Sequence, residues 1–123
     1  MVMHTVVETA SYLKAAEQAG ITESERADIV TLLANDPDAG DLIRGSGGCR
    51  KVRVAGRGKG KSGGYRVVTY YADETAPVYL LTVFGKGERS NLSDAEVNML
   101  AALAKELLTS HRRARKVVPI RRR

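Results

Sequence analysis

GGCRKVRV (residues 47–54), GGYRVVTYY (63–71) and VYLLTVF (78–84), closing on GKGER (85–89), make three short runs rich in Val, Leu, Thr and Tyr. The first pair is separated by a Gly/Lys loop and the second by ADETAP (72–77), so the pattern predicts an antiparallel three-stranded meander. In the first run Val52 and Val54 alternate with Lys51 and Arg53. With a side-chain period of two, the valines face a core while Lys51 and Arg53 share the opposite, open face. Two like charges on one sheet face repel unless an anion lies between them. The third run is apolar almost throughout, as expected of a strand buried on both faces or central in the sheet.

Upstream, Val2 to Val7 reads as a short edge strand. Thr9 caps a helix carrying Tyr12, Leu13, Ala16 and Ala19, and Gly20 ends it. Thr22 with Glu25 has the spacing of a capping box and opens a second helix, whose Ile29, Val30, Leu32 and Leu33 form a stripe before Asn35-Asp36-Pro37. Two helices joined by so short a turn pack antiparallel and cover one face of the sheet. Asp38 to Gly48 is a turn-rich connector whose Leu42 and Ile43 tuck into the core edge. Downstream, Ser93 with Glu96 repeats the capping-box spacing, opening a helix with Val97, Leu100, Ala101, Ala104, Leu107 and Leu108 at helical intervals. From His111 the chain turns basic and Pro119 opposes further helix, so the expectation is a domain over 1–108 and a basic, disordered tail over 109–123.

The 123 residues suffice for one domain. No run of about 18 apolar residues exists and the start lacks a signal-peptide pattern, which predicts a cytoplasmic protein with no membrane partner. Cys49 is the single cysteine and has no Cys or His at zinc spacing, so neither a disulfide framework nor a metal site is predicted. Charge is strongly segregated. Residues 1–43 hold two cations against eight acids, whereas 44–66 hold eight cations and 109–123 hold seven, both without an acid. That distribution points to a polyanionic partner, most simply nucleic acid.

The loop invites two nucleotide-site readings. GKGKSG (58–63) matches the dinucleotide glycine pattern, and Gly60-Lys61-Ser62 resembles the end of a P-loop. Both need a strand before and a helix after, and here a strand follows. Arg57, Lys59 and Lys61 read instead either as a mobile basic loop gripping a nucleic-acid backbone or as a solvated hairpin loop kept flexible by glycine.

GDLIRGSGGCRKVRV (40–54), GKGKSGGYRVVTYY (58–71) and YLLTVFGKGE (79–88), in this order and spacing, resemble the HigB branch of the RelE-like toxins of bacterial type II toxin-antitoxin modules. The resemblance covers roughly residues 2–108. It implies an α+β fold, with an N-terminal helix pair and a C-terminal helix packed on a small twisted antiparallel sheet. It also implies a ribosome-dependent messenger-RNA endonuclease that enters the A site of the 70S ribosome and inhibits translation. Its partner is a cognate antitoxin, a small DNA-binding protein encoded nearby. Cleavage of this kind is metal-independent and needs no cofactor: an RNA 2′-hydroxyl attacks the adjacent phosphate. It requires a base, a proton donor and positive charge on the developing phosphorane.

By resemblance, Arg66 and Arg53 stabilise the phosphate, Lys51 activates the hydroxyl, and Lys86 or Arg89 serves the leaving group or scissile backbone. His4 and His111 lie outside the sheet stretch and do not form a catalytic pair. The sequence departs from the best-known members at Gly87, where they carry a basic residue, and at Ser93, where they carry a tyrosine. The competing expectation is a non-catalytic nucleic-acid-binding regulator derived from the toxin fold.

Overall fold

The computed structural model describes residues 3–56, 64–85 and 91–117, residues 115–117 by backbone alone. In chain order the elements are β1 (Val6–Glu8), α1 (Ala10–Gln18), α2 (Glu23–Asn35), β2 (Asp41–Leu42), β3 (Cys49–Val54), β4 (Tyr65–Tyr70), β5 (Val78–Gly85) and α3 (Asp94–Val117). The strands form one sheet in the order β1-β5-β4-β3-β2. The predicted meander is β3-β4-β5, antiparallel throughout. The sheet as a whole is mixed rather than antiparallel, because β1 runs parallel to β5, with Val6 opposite Val78 and Glu8 opposite Leu80. The crossover from β1 to β5 carries α1, α2 and three other strands, and no local signal announced its direction.

All three predicted caps form. Thr9 Oγ1 accepts from the Tyr12 N–H at 3.2 Å and donates to the Leu80 carbonyl at 2.7 Å, so the cap also fixes α1 to β5. At α2 the Thr22 hydroxyl accepts from the Glu25 N–H at 3.1 Å while the Glu25 carboxylate accepts from the Thr22 N–H at 2.9 Å. Ser93 and Glu96 make the same reciprocal pair at 3.2 and 2.8 Å at the start of α3. Each box satisfies backbone donors that a helix start otherwise leaves open.

α1 and α2 cover one sheet face. Tyr12, Ala16, Ile29 and Leu33 meet Val52, Val67, Leu80 and Val83 in a buried cluster. Arg26 pairs with Glu8 at 3.0 Å and ties α2 to β1. The connector behaves as two parts: Leu42 lies in the added edge strand β2 and is 63% exposed, whereas Ile43 packs against the α3 cluster. Gly40 stands at φ +94°, and a Cβ there would sit 2.5 Å from the Lys51 carbonyl, so only glycine lets the connector lie this close to β3.

The opposite face is not open. α3 lies over it, with Leu100 and Ala104 packed on Cys49, Val68, Tyr70, Leu81 and Phe84. The alternation in β3 correctly separated the two faces, and the C-terminal helix packs on the sheet as expected, but on the face that was read as open. The helix also continues to Val117, so residues 109–117 are helical where a disordered tail was expected; residues 118–123 lie outside the described residues. His111 holds this extension, with Nε2 2.9 Å from the Thr75 hydroxyl and 3.6 Å from Asp73 Oδ1, in the turn between β4 and β5.

Candidate active site

β3 and β4 pair so that Arg53 stands directly opposite Arg66, and Lys51 opposite Val68. Residues opposite each other in an antiparallel pair share a face, with Cα atoms about 4.5–5.5 Å apart. Lys51, Arg53 and Arg66 therefore project from one face, the face on which α3 packs, and of the three Arg53 is exposed. Phe84 lies across from Arg66 on the next strand and is buried. Its ring gives the arginine an apolar floor.

Burial differs across the three cations. Arg53 is exposed, while Arg66 is half-buried, and its Nη1 is fully buried with no hydrogen-bond partner. A guanidinium presents five N–H donors, and leaving one buried and unmatched costs free energy unless a ligand meets it. Lys51 is half-buried and its Nζ donates to Asn91 Oδ1 at 3.4 Å. The ion pairs among the described residues, Arg26 with Glu8 and His111 with Asp73, lie away from this face end. Two arginines in register, one with a buried unmatched donor, form a cradle for a doubly liganded oxyanion such as a phosphodiester.

Arg57, Lys59 and Lys61 of the basic loop, and Lys86 and Arg89 after β5, lie outside the described residues. The chain leaves β3 for that loop at Gly56, returns at Gly64 and leaves β5 at Gly85, which pairs with Tyr65. All three points are at the arginine end of the sheet.

Asn91 is the site residue that sequence reasoning missed. It sits two positions before the Ser93 cap, in a stretch with no periodicity, and nothing local tied it to Lys51 forty residues earlier. Arg50 donates from Nη1 to the Gly40 carbonyl at 3.0 Å and steadies the connector.

The histidines do not reach the cations. His4 meets Tyr71 edge-on, ring centroids 5.5 Å apart, and His111 is engaged at the 73–75 turn at the far end of the sheet. Cys49 is no nucleophile: burial raises its thiol pKa, against a smaller lowering by the Ser46 hydroxyl bond, and α3 seals it. The phenol of Tyr65 is likewise raised by burial and, to a lesser degree, by Glu25. Its side chain packs toward the α1–α2 core. Among the described residues no group of three or more His, Cys, Asp and Glu is arranged to hold a metal, and no helix is long and apolar enough to cross a membrane.

Fold and site together define a small α+β protein with a cationic end on its central sheet. The family model for the RelE toxin of the RelE/RelB toxin-antitoxin system matches residues 4–118. The chain belongs to that family, and is thus a toxin of a toxin-antitoxin system with an antitoxin as partner. Among solved structures it is similar to an arginine-to-alanine double variant of the Escherichia coli toxin RelE in the free state. Identity is 25% and the TM-score 0.54, with 81% of this chain and 95% of that one covered.

Proposed function

We propose that this toxin is an endoribonuclease of the HigB branch that cuts messenger RNA in the ribosomal A site and so arrests translation in the cytoplasm. The observation that carries the proposal is the in-register pair of Arg53 and Arg66 on one sheet face, with a guanidinium nitrogen on Arg66 that meets no hydrogen-bond partner among the described residues. An RNA phosphodiester accepts from exposed Arg53 and from the accessible part of the Arg66 guanidinium. As the 2′-oxygen attacks, charge accumulates on the equatorial oxygens, and the two guanidiniums stabilise it more in the transition state than in the ground state.

Lys51, steadied by Asn91, lies one pleat along the same strand and serves the attacking hydroxyl. Lys86 or Arg89 completes the set at the leaving oxygen. The 2′-hydroxyl is the nucleophile, so the chemistry calls for no metal. Ser93 is engaged in the α3 cap, so no side chain at that position takes the role of the tyrosine found in better-known members. The antitoxin is the product of a neighbouring reading frame.

The test is controlled induction in a bacterial host followed by mapping of transcript 5′ ends. Wild type should stop growth within one generation and create new ends within translated codons. Arg66→Ala should remove those ends while circular dichroism and thermal melting match wild type. A non-catalytic regulator would leave transcripts intact with either protein.

A further inference from the structure

We propose that the C-terminal end of α3 is a second nucleic-acid site, one that grips the sugar-phosphate backbone of a double-helical RNA and takes no part in cleavage. Arg112 and Arg113 are its described members, both exposed, and the helical backbone carries Arg115 and Lys116 one turn further on.

The charge of this segment has a single sign. Glu106 is the last acid in the chain, so from Leu107 to Val117 the helix holds four cations and no carboxylate. Positions three and four apart are neighbours on a helix, which sets 112 beside 115 and 116, and 113 beside 116. Each of these is a like-charge pair that opposes the helix. Cations in the last turn complement the negative end of the helix dipole, but that gain does not grow with every added charge, whereas the repulsion does. A polyanion laid along the end removes the repulsion.

The segment is nevertheless held in place. Leu107 and Leu108 are the last described residues of α3 packed on the core, and past them the helix is fastened by His111. The Thr75 hydroxyl donates to Asp73 Oδ1 and so accepts from His111 Nε2, 2.9 Å away. That bond anchors the turn presenting the two arginines. The ion pairs among the described residues, Arg26 with Glu8 and His111 with Asp73, leave Arg112 and Arg113 without a carboxylate. Burial raises the Tyr70 phenol pKa, Cys49 adds to this, and the Arg112 charge opposes both, which puts Arg112 near Tyr70, at the far end of β4 from Arg66.

The chemistry of this end selects a double helix over a single strand. Single strands are held in grooves where bases stack on aromatic side chains. α3 contains no Phe, Tyr or Trp, and Tyr70 is only 6% exposed, so no base stacks here. A convex rod of cations instead suits a double helix, which presents phosphates outward and encloses its bases. A lipid surface is disfavoured on similar grounds, because Thr109, Ser110 and Ala114 are the exposed neighbours of the arginines and none is an apolar anchor. The choice of RNA over DNA rests on the proposed function; the phosphate-binding end itself does not.

The experiment follows fluorescence anisotropy of a labelled blunt RNA duplex, a duplex DNA of equal length and a short single-stranded RNA with purified full-length toxin across a salt series. Arg112→Ala/Arg113→Ala should weaken binding of the RNA duplex at least about tenfold and flatten its log–log salt slope by about 2, leaving the single strand within about twofold of wild type. Arg112→Glu/Arg113→Glu should abolish duplex binding, and the two variants guard against one failing to fold. Arg53→Ala/Arg66→Ala should weaken the single strand and spare the duplex. Duplex affinity within about twofold of wild type in both helix-end variants would overturn the proposal. So would equal loss of the duplex in Arg53→Ala/Arg66→Ala, because the duplex would then occupy the sheet end, or duplex DNA binding at least about tenfold more tightly than the RNA. Every arm reads binding without ribosomes, so intact transcripts in the induction experiment would remove the cleavage reading and leave this site standing.

Discussion

Tyr12 and Arg66 each bury a polar atom without a hydrogen-bond partner, and they illustrate two different reasons for doing so. Arg66 buries one guanidinium nitrogen while the rest of its half-buried side chain stands in register with exposed Arg53 on the same sheet face. Tyr12 is fully buried under α1, and its phenol is pushed up to about 12, chiefly by burial and secondarily by the Glu8 carboxylate. The folded phenol holds its proton more tightly than the unfolded one near 10, so its contribution is intact below pH 10 and is lost as pH rises from 10 toward 12. Tyr12→Phe should therefore flatten the alkaline limb of a stability-versus-pH curve in that window. It should also raise stability near pH 7 by about 1 kcal/mol, because an unmatched buried hydroxyl is removed. Urea melts at pH 7, 10 and 11.5 measure both effects. The cationic character of Lys51, Arg53 and Arg66 was legible from residue type and alternation alone. The burial of Arg66 was not, because it depends on Phe84 arriving from another strand.

Elements were legible where their signals are local. The caps at Thr9, Thr22 and Ser93 rest on a hydroxyl with its acceptor geometry a few residues away, and each forms as read. The end of α3 is different. Composition after His111 looked like a tail, yet His111 finds Thr75 and Asp73 across the fold, and that contact extends the helix to Val117. His111→Ala should leave the first turns of α3 protected and speed amide exchange in its last turns by roughly fivefold, equivalent to about 1 kcal/mol of local stability. Hydrogen exchange resolved along the helix checks this. At the other side of the sheet, Gly40→Ala meets both a positive φ and the Lys51 carbonyl, and should cost on the order of 1–3 kcal/mol in a thermal or chemical melt.

For the molecule as a whole, charge segregation read from the sequence translates into geometry. The acid-rich first third becomes α1 and α2 on one side, and the cations of β3 and β4 emerge at one end of the other. α3 separates that end from Arg112 and Arg113, which are exposed near its C-terminus. Arg112 acts on the Tyr70 phenol, at the opposite end of β4 from Arg66, and four residues of strand put roughly 13 Å between those ends. One phosphodiester cannot touch both. Lys51, Arg53 and Arg66 should thus govern binding to short single-stranded RNA, with a log–log salt slope of about −2 that falls toward −1 in the Arg53→Ala/Arg66→Ala double variant. Fluorescence anisotropy across a salt series measures it. What the sequence could not convey at this scale was which helix covers which face, since apolar stripes state that a partner exists and not where it lies.

The parallel edge formed by β1 has a kinetic corollary. Val6 must wait for Val78, so during synthesis the first strand and both early helices have no sheet to rest on until more than half of the chain has been made. Nascent chains halted before residue 78 lack the β5 platform that α1 and α3 both use, leaving the cradle without its floor. This toxin thereby acquires its finished shape only as it is leaving the ribosome that made it.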